Sequence, residues 1–210
     1  MPESWAEVSL GQFLTLSDPQ APKDSLFIIS TLSGLSIDEL RGAVAYDLDE
    51  VVLSHLAFIW TAPAISSTPP EFLTINDQRV GFPDDLGTEV TLGQMVDVRH
   101  VIRGRQSKKE PVEPVVMAST VLPVFLWGKM RTDKYVNRQK ATEQLWESIQ
   151  TISCLDGLAA SAFFLRNSLK LSPSGRVSVQ AWTNPTSLKG WLLRLRQSWK
   201  SSTISTPQLD

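Results

Sequence analysis

The chain carries the phrase VSLGQFLTL at residues 8–16 and a near copy, VTLGQMVDV, at residues 90–98. Both copies fit a helix-starting pattern in which Ser or Thr is followed three residues later by Glu or Gln: Ser9 precedes Gln12, and Thr91 precedes Gln94. In this pattern the hydroxyl accepts from the backbone N–H at the third helical position. The longer side chain reaches back to the N–H of the capping residue, so two of the four orphan donors at a helix start are satisfied. The flanking apolar residues repeat as well. Val8 stands before the first cap and Phe13 at the fourth helical position, and Val90 and Met95 take the same places in the second copy. Such pairs staple the chain at the angle at which it enters the helix. Two helix starts of one construction, 82 residues apart, predict two helical parts that open alike.

Local signals extend this plan. Asp24 is placed to cap SLFIISTLS, which Gly34 can end, and Ser36 with Glu39 forms another capping box. Asp47 can cap LDEVVLSHLAFIW, where Leu48, Val51, Val52, His55 and Ile59 make an apolar stripe at helical spacing. Pro63, Pro69 and Pro70 mark a loop. Two β-prone runs, 72–75 and 79–82, flank Asn76-Asp77-Gln78 and predict a hairpin, ended by Pro83 and Asp84-Asp85. RGRQSKKEPVEP at 103–114 reads as an exposed loop. Beyond it, 115–130 is apolar and helical, kinked or broken at Pro123. A polar amphipathic helix follows at 137–152, and a strongly apolar one with Phe163-Phe164 at 155–169. A short strand at 176–182, a last helix at 187–199 and a frayed end complete the pattern.

The expected fold class is therefore α+β, mostly α: two helical subregions flanking a β-hairpin, with a C-terminal amphipathic helix. The corresponding regions are 1–66 (helical), 67–86 (hairpin), 87–170 (helical) and 171–210 (a basic tail with a helix).

Composition narrows the functional classes. A formal net charge of −2 argues against nucleic-acid binding by the whole chain. The single cysteine, Cys154, excludes an internal disulfide. The start, MPESWAEVSL, lacks the pattern of a signal peptide, and no apolar run approaches the roughly 20 residues of a membrane span, so a soluble, cytoplasmic protein is expected. Charge is uneven along the chain. Glu3, Glu7, Asp18, Asp24, Asp38, Glu39, Asp47, Asp49 and Glu50 face only Lys23 and Arg41 within 1–60, whereas Arg176, Lys189, Arg194, Arg196 and Lys200 have no acidic counterpart within 171–209. Such asymmetry suits head-to-tail contacts or docking on a partner, or simply two solvated surfaces.

Reactive chemistry is not written in the sequence. There is no HExxH, CxxC, acidic calcium loop, phosphate loop, GxGxxG or GxSxG. His55 falls on an apolar helix face, as a core or boundary histidine, and His100 lies near Asp97 and Arg103 in a solvent-prone stretch. Neither forms a recognisable catalytic pattern with Cys154. No catalytic residue, cofactor or metal is expected. The basic loop Arg103, Arg105, Lys108 and Lys109 lacks the interleaved aromatics of a single-strand binder.

The C-terminal helix is the most suggestive element. Leu188, Trp191, Leu192, Leu195 and Trp199 recur at helical spacing, with Arg194 among the cations around them. Leu188, Trp191, Leu192, Arg194, Leu195 and Trp199 are thus the expected partner-binding residues. Such a helix docks into a partner groove, packs back on its own domain or lies on an anionic membrane.

Taken in order, the segments at 10–13, 29–41, 47–59, 72–82, 91–97 and 155–169 resemble the plan of small morphogenesis proteins of tailed bacteriophages. The resemblance spans about 8–170 and consists of weak motifs; the Trp-rich basic tail departs from it. It implies a non-enzymatic assembly protein, either a tail-assembly chaperone or a minor virion component, found in the host cytoplasm or the virion. Its partners would be other phage structural or assembly proteins, or further copies of itself; the net charge predicts no nucleic-acid partner, and a membrane partner is disfavoured. The alternative is a membrane- or partner-docking adaptor that uses the C-terminal helix.

Overall fold

Backbone N–H groups at the helix starts decide where this chain turns from loop to helix. The computed structural model describes residues 1–22, 24–42, 54–83 and 86–170. Asp47 and most of its helix, Asp84-Asp85, the strand at 176–182 and the helix at 187–199 lie outside the described residues. What is described is mostly helical, with a two-stranded antiparallel hairpin, an α+β arrangement. The described residues fall in two units, one within Met1–Val8 and Gln12–Pro63, the other within Ser9–Gly11 and Ala64–Thr183.

In the first unit, α1 (Leu10–Ser17, from Gln12 onward), α2 (Ser25–Ser33) and α3 (Ile37–Arg41) follow one another. Asp24 Oδ1 accepts from the Phe27 N–H at 2.8 Å and starts α2. Gly34, at φ 76°, ends it in the left-handed conformation that glycine adopts without a Cβ clash. The Ser36–Glu39 box at α3 is complete in both directions. Its serine hydroxyl is the main reason the Glu39 carboxyl sits below its usual range. Gln12 spans to α2 and donates its amide to the carbonyls of Thr31 (3.0 Å) and Leu32 (3.2 Å), near the open end of that helix. Trp5 is the aromatic centre. Its ring meets Phe13 and Phe58 edge-on, at 5.4 and 5.2 Å, and its indole N–H donates to the Thr61 carbonyl at 2.8 Å. This packing accompanies a tight 3-10 turn at Ala57–Trp60 where the sequence pattern had extended an α-helix to residue 60. His55 consequently sits in a turn and is exposed, not on a buried helix face.

The second unit begins with the hairpin, β1 (Phe72–Ile75) and β2 (Gln78–Gly81), then α4 (Leu86–Glu89), α5 (Leu92–Ser107), α6 (Pro114–Met130), α7 (Arg138–Ile149) and α8 (Cys154–Lys170). Ile75 pairs with Gln78, so the loop is the two residues Asn76 and Asp77, with φ 49° and 61°. Two consecutive positive φ values match the twist of the strands, as in a type I′ turn. Leu73 and Ile75 point inward and are buried. The apolar α6 is the hub, in contact with α5, α7, α8 and β2. Pro114 occupies the first turn, where its missing N–H is harmless. The helix runs through Pro123 without interruption, and residues 121–127 are all buried. Phe164 of α8 is stacked between Phe125 of α6 (4.5 Å) and Phe82 after the hairpin (4.9 Å), with Phe163 edge-on to Phe82 at 5.0 Å.

Residues 103–107, read from sequence as loop, belong to α5. The helix continues because Met95, Val98 and Ile102 form a buried stripe along it. It closes with Lys109 in the left-handed region at φ 57°, with Lys109 N–H bonded to Gln106 O and Glu110 N–H bonded to Arg105 O. That paired bonding satisfies the last carbonyls of α5 without a glycine.

The two phrases sit in different surroundings. Thr91 and Gln94 make the full reciprocal box, and the Gln94 amide also donates to the Val124 carbonyl of α6. The first copy is fastened from outside. Leu10 N–H donates to Ile152 O at 2.7 Å, Gly11 N–H to Gln150 O at 3.0 Å, and Ser9 pairs with Ser153 as an antiparallel bridge. A Cβ on Gly11 would lie 2.9 Å from the Gln150 Cβ, whereas one on Gly93 would find only ordinary contact, 3.6 Å from the Tyr135 ring. The equivalent substitutions should therefore diverge in denaturant melts. Gly93→Ala gains up to about 1 kcal/mol of helix propensity. Gly11→Ala should lose about 1–3 kcal/mol to overpacking, outweighing the same gain. Phe164→Ala should cost about 3–5 kcal/mol, read as a lower denaturation midpoint at unchanged slope.

Candidate interaction surface

The expected partner-binding residues Leu188, Trp191, Leu192, Arg194, Leu195 and Trp199 lie outside the described residues. The residues considered for nucleophilic chemistry do not form an activated group. Cys154 is fully buried, and burial first, with Asp156 nearby, pushes its thiol up to about 12. A reactive cysteine needs the opposite shift and access to solvent. His100 is exposed on α5. No group of three or more His, Cys, Asp or Glu suited to a metal ion occurs among the described residues. No described helix is long and apolar enough to cross a membrane.

What the second unit does present is an exposed helix face. Leu92 and Val96 are one turn apart on α5 and are 77% and 52% exposed. Further along, His100, Arg103 and Ser107 continue the exposed side at spacings of four, three and four residues. The face thus changes from aliphatic at the start of the helix to cationic at its end. Arg105 pairs with Glu110 at 3.6 Å. Arg103, Lys108 and Lys109 form no ion pair among the described residues.

The connection between α6 and α7 borders this face and is held closely. Tyr135 O–H donates to Asp97 Oδ2 at 2.6 Å, and Arg138 N–H donates to the same oxygen at 2.8 Å. Burial, then the Asp97 hydrogen bond and charge, raise the Tyr135 phenol well above its usual range. The buried Trp127 indole N–H donates to Asp133 O at 2.9 Å. Arg131 lies 5.8 Å over the Trp127 ring, bonds Asp133 Oδ1 at 3.1 Å and is the main cause of a lowered Asp133 carboxyl. Lys129 pairs with Glu89 of α4. These ties present Val136, 60% exposed, on a fastened segment.

The first unit has its own exposed aliphatics, Leu35 (46%) and Ile37 (38%), at the corner before α3. Asp38 and Glu39 lie beside them, also exposed. Asp38 reaches Arg41 at 3.4 Å, but both side chains are largely in water, and such pairs contribute little.

Comparison with known proteins gives no matching family, no matching curated relative and no matching solved structure.

Two measurements check this description. Tyr135→Phe should lower stability by about 1.5–3 kcal/mol near neutral pH, the usual worth of a hydrogen bond to a charged acceptor. Because the folded phenol holds its proton above the unfolded value of about 10, wild-type stability should fall as pH rises past that value; the variant should lack this component. Cys154 should react with a thiol reagent far more slowly in the native protein than after denaturation at the same pH.

Proposed function

We propose that this protein is a non-enzymatic assembly factor of a tailed bacteriophage, acting through protein–protein contacts as a tail-assembly chaperone or a minor virion component. The observation that carries the contact-making part is the exposure of Leu92 and Val96 on α5, and of Val136 on the segment tied to it by Asp97. Exposed aliphatics on a rigid support suit association better than catalysis, which draws on converging polar groups in a cleft. The phage setting comes from the order of sequence motifs between about 8 and 170. Other virion or assembly proteins would be the partners, in the host cytoplasm or the finished particle.

Tagged protein expressed during infection should co-purify with virion proteins. Retention through particle purification marks a virion component; presence in infected-cell lysate alone, bound to virion proteins, marks a chaperone. Absence of any virion protein in both fractions removes the proposal. The amphipathic pattern of Leu188, Trp191, Leu192, Leu195 and Trp199 favours a second reading, a docking adaptor. Deleting 186–210 should then abolish partner binding, and unchanged binding would exclude it.

A further inference from the structure

We propose that the α5 face of one copy binds the α3 corner of a second copy, so that the protein associates with itself head to tail. The two surfaces match in kind and oppose in sign. On α5, Leu92 and Val96 lead along the helix to His100 and Arg103, and Lys108 and Lys109 follow past its end. At the α3 corner, Leu35 and Ile37 are followed at once by Asp38 and Glu39. Each surface therefore joins a pair of exposed aliphatics to charges: cations toward the end of α5, and Asp38 and Glu39, with Arg41 paired to Asp38, at the α3 corner, so the net signs are complementary. Apolar contact supplies attraction while complementary charge fixes which way round the copies meet.

Several charges near these surfaces are already engaged within the fold. Asp97 lies on α5 but gives its Oδ2 to Tyr135 and Arg138. Glu110 is drawn to Arg105, and Glu89 to Lys129. Arg103, Lys108 and Lys109 remain without an ion pair among the described residues. On the other surface, Glu39 is hydrogen-bonded to Ser36 yet stays ionised, its carboxyl lowered, and Asp38 is held only by a solvent-exposed ion pair.

The same distribution disfavours like-with-like pairing. Two α5 faces side by side would oppose Arg103, Lys108 and Lys109 to their own copies; reversed, they would press those cations onto Leu92 and Val96. Two α3 corners would set Asp38 and Glu39 against themselves. A contact between unlike surfaces avoids these conflicts, and wherever it does not close reciprocally within a pair it propagates as rings or open chains. The inference deepens the assembly reading and rests on it for its purpose.

The test uses the full chain and four substitutions at exposed positions, in two double variants. Leu92→Gln with Val96→Gln blocks one surface, and Leu35→Gln with Ile37→Gln blocks the other. Wild type should associate with rising concentration in sedimentation-velocity runs, about tenfold more weakly in high salt than in low salt, because the charges are at the surface. Each double variant alone should be monomeric, with an unchanged helical circular-dichroism spectrum. Mixed in equal amounts they should form a one-to-one pair and nothing larger, since each supplies the surface the other lacks. A monomeric wild type, persistence of association in either double variant, or a mixture that does not pair would overturn the proposal. A monomeric wild type that still co-purifies with virion proteins would overturn self-association and leave the assembly reading in place. Self-association without any virion partner would do the reverse.

Discussion

The stacking of Phe164 between Phe82 and Phe125 is the contact on which the second unit depends. It brings together three stretches of chain: the exit of the hairpin, the apolar hub α6 and the last described helix α8. The ring centroids of Phe125 and Phe82 lie 4.5 and 4.9 Å from that of Phe164, with the planes within 16° and 22° of parallel. A two-stranded hairpin is marginal by itself, so Phe82 anchors it on the helices. Asn76 adds a polar tie at the other end, donating its backbone N–H to Thr151 Oγ1 and its amide to Ser148 Oγ. The hairpin is thus fastened at its turn and at its exit, and the buried face of β1 fills the gap between.

Local chemistry was easiest to read in advance. The caps at Asp24, Ser36 and Thr91 depend on residues three apart, and each makes the bond its spacing implies. The apolar character of α6 and α8 also stands out in the sequence, because a helix buried on most sides has few polar residues to hide it. Elsewhere a local rule met a tertiary exception. The end of α5 was missed because a lysine, not a glycine, takes the left-handed position, and a basic, proline-flanked stretch looks like loop. The turn at Asn76-Asp77 looked one residue longer because Gln78 is polar, yet it pairs with Ile75 as a strand residue. Periodicity places His55 on an apolar helix face at the core or its boundary, but the chain leaves helical geometry at that residue, which is exposed.

The interaction surface was scarcely legible. Leu92 in the phrase VTLGQMVDV looks like any apolar residue of a helix start. Its exposure follows from where Gln94, Met95 and Val98 are buried, which fixes the rotation of α5. Asp97 and Tyr135 are 38 residues apart, and no spacing rule joins them. The charge asymmetry was visible in the sequence, but which cations are already matched inside the fold was not. An account of association therefore follows from the pattern of satisfied bonds as much as from hydrophobicity.

The fastening of residues 9–11 has a temporal side. Their partners are the carbonyls of Gln150 and Ile152 and the backbone of Ser153, with Leu10 seated against Gly157. On a ribosome moving at roughly 5–20 residues per second, the interval before those partners emerge is several seconds to about half a minute. Residues 9–11 are synthesised well before these partners and find their place only after them. During translation these residues await partners in the second unit, and vectorial synthesis gives whatever binds a nascent chain a defined window in which to act.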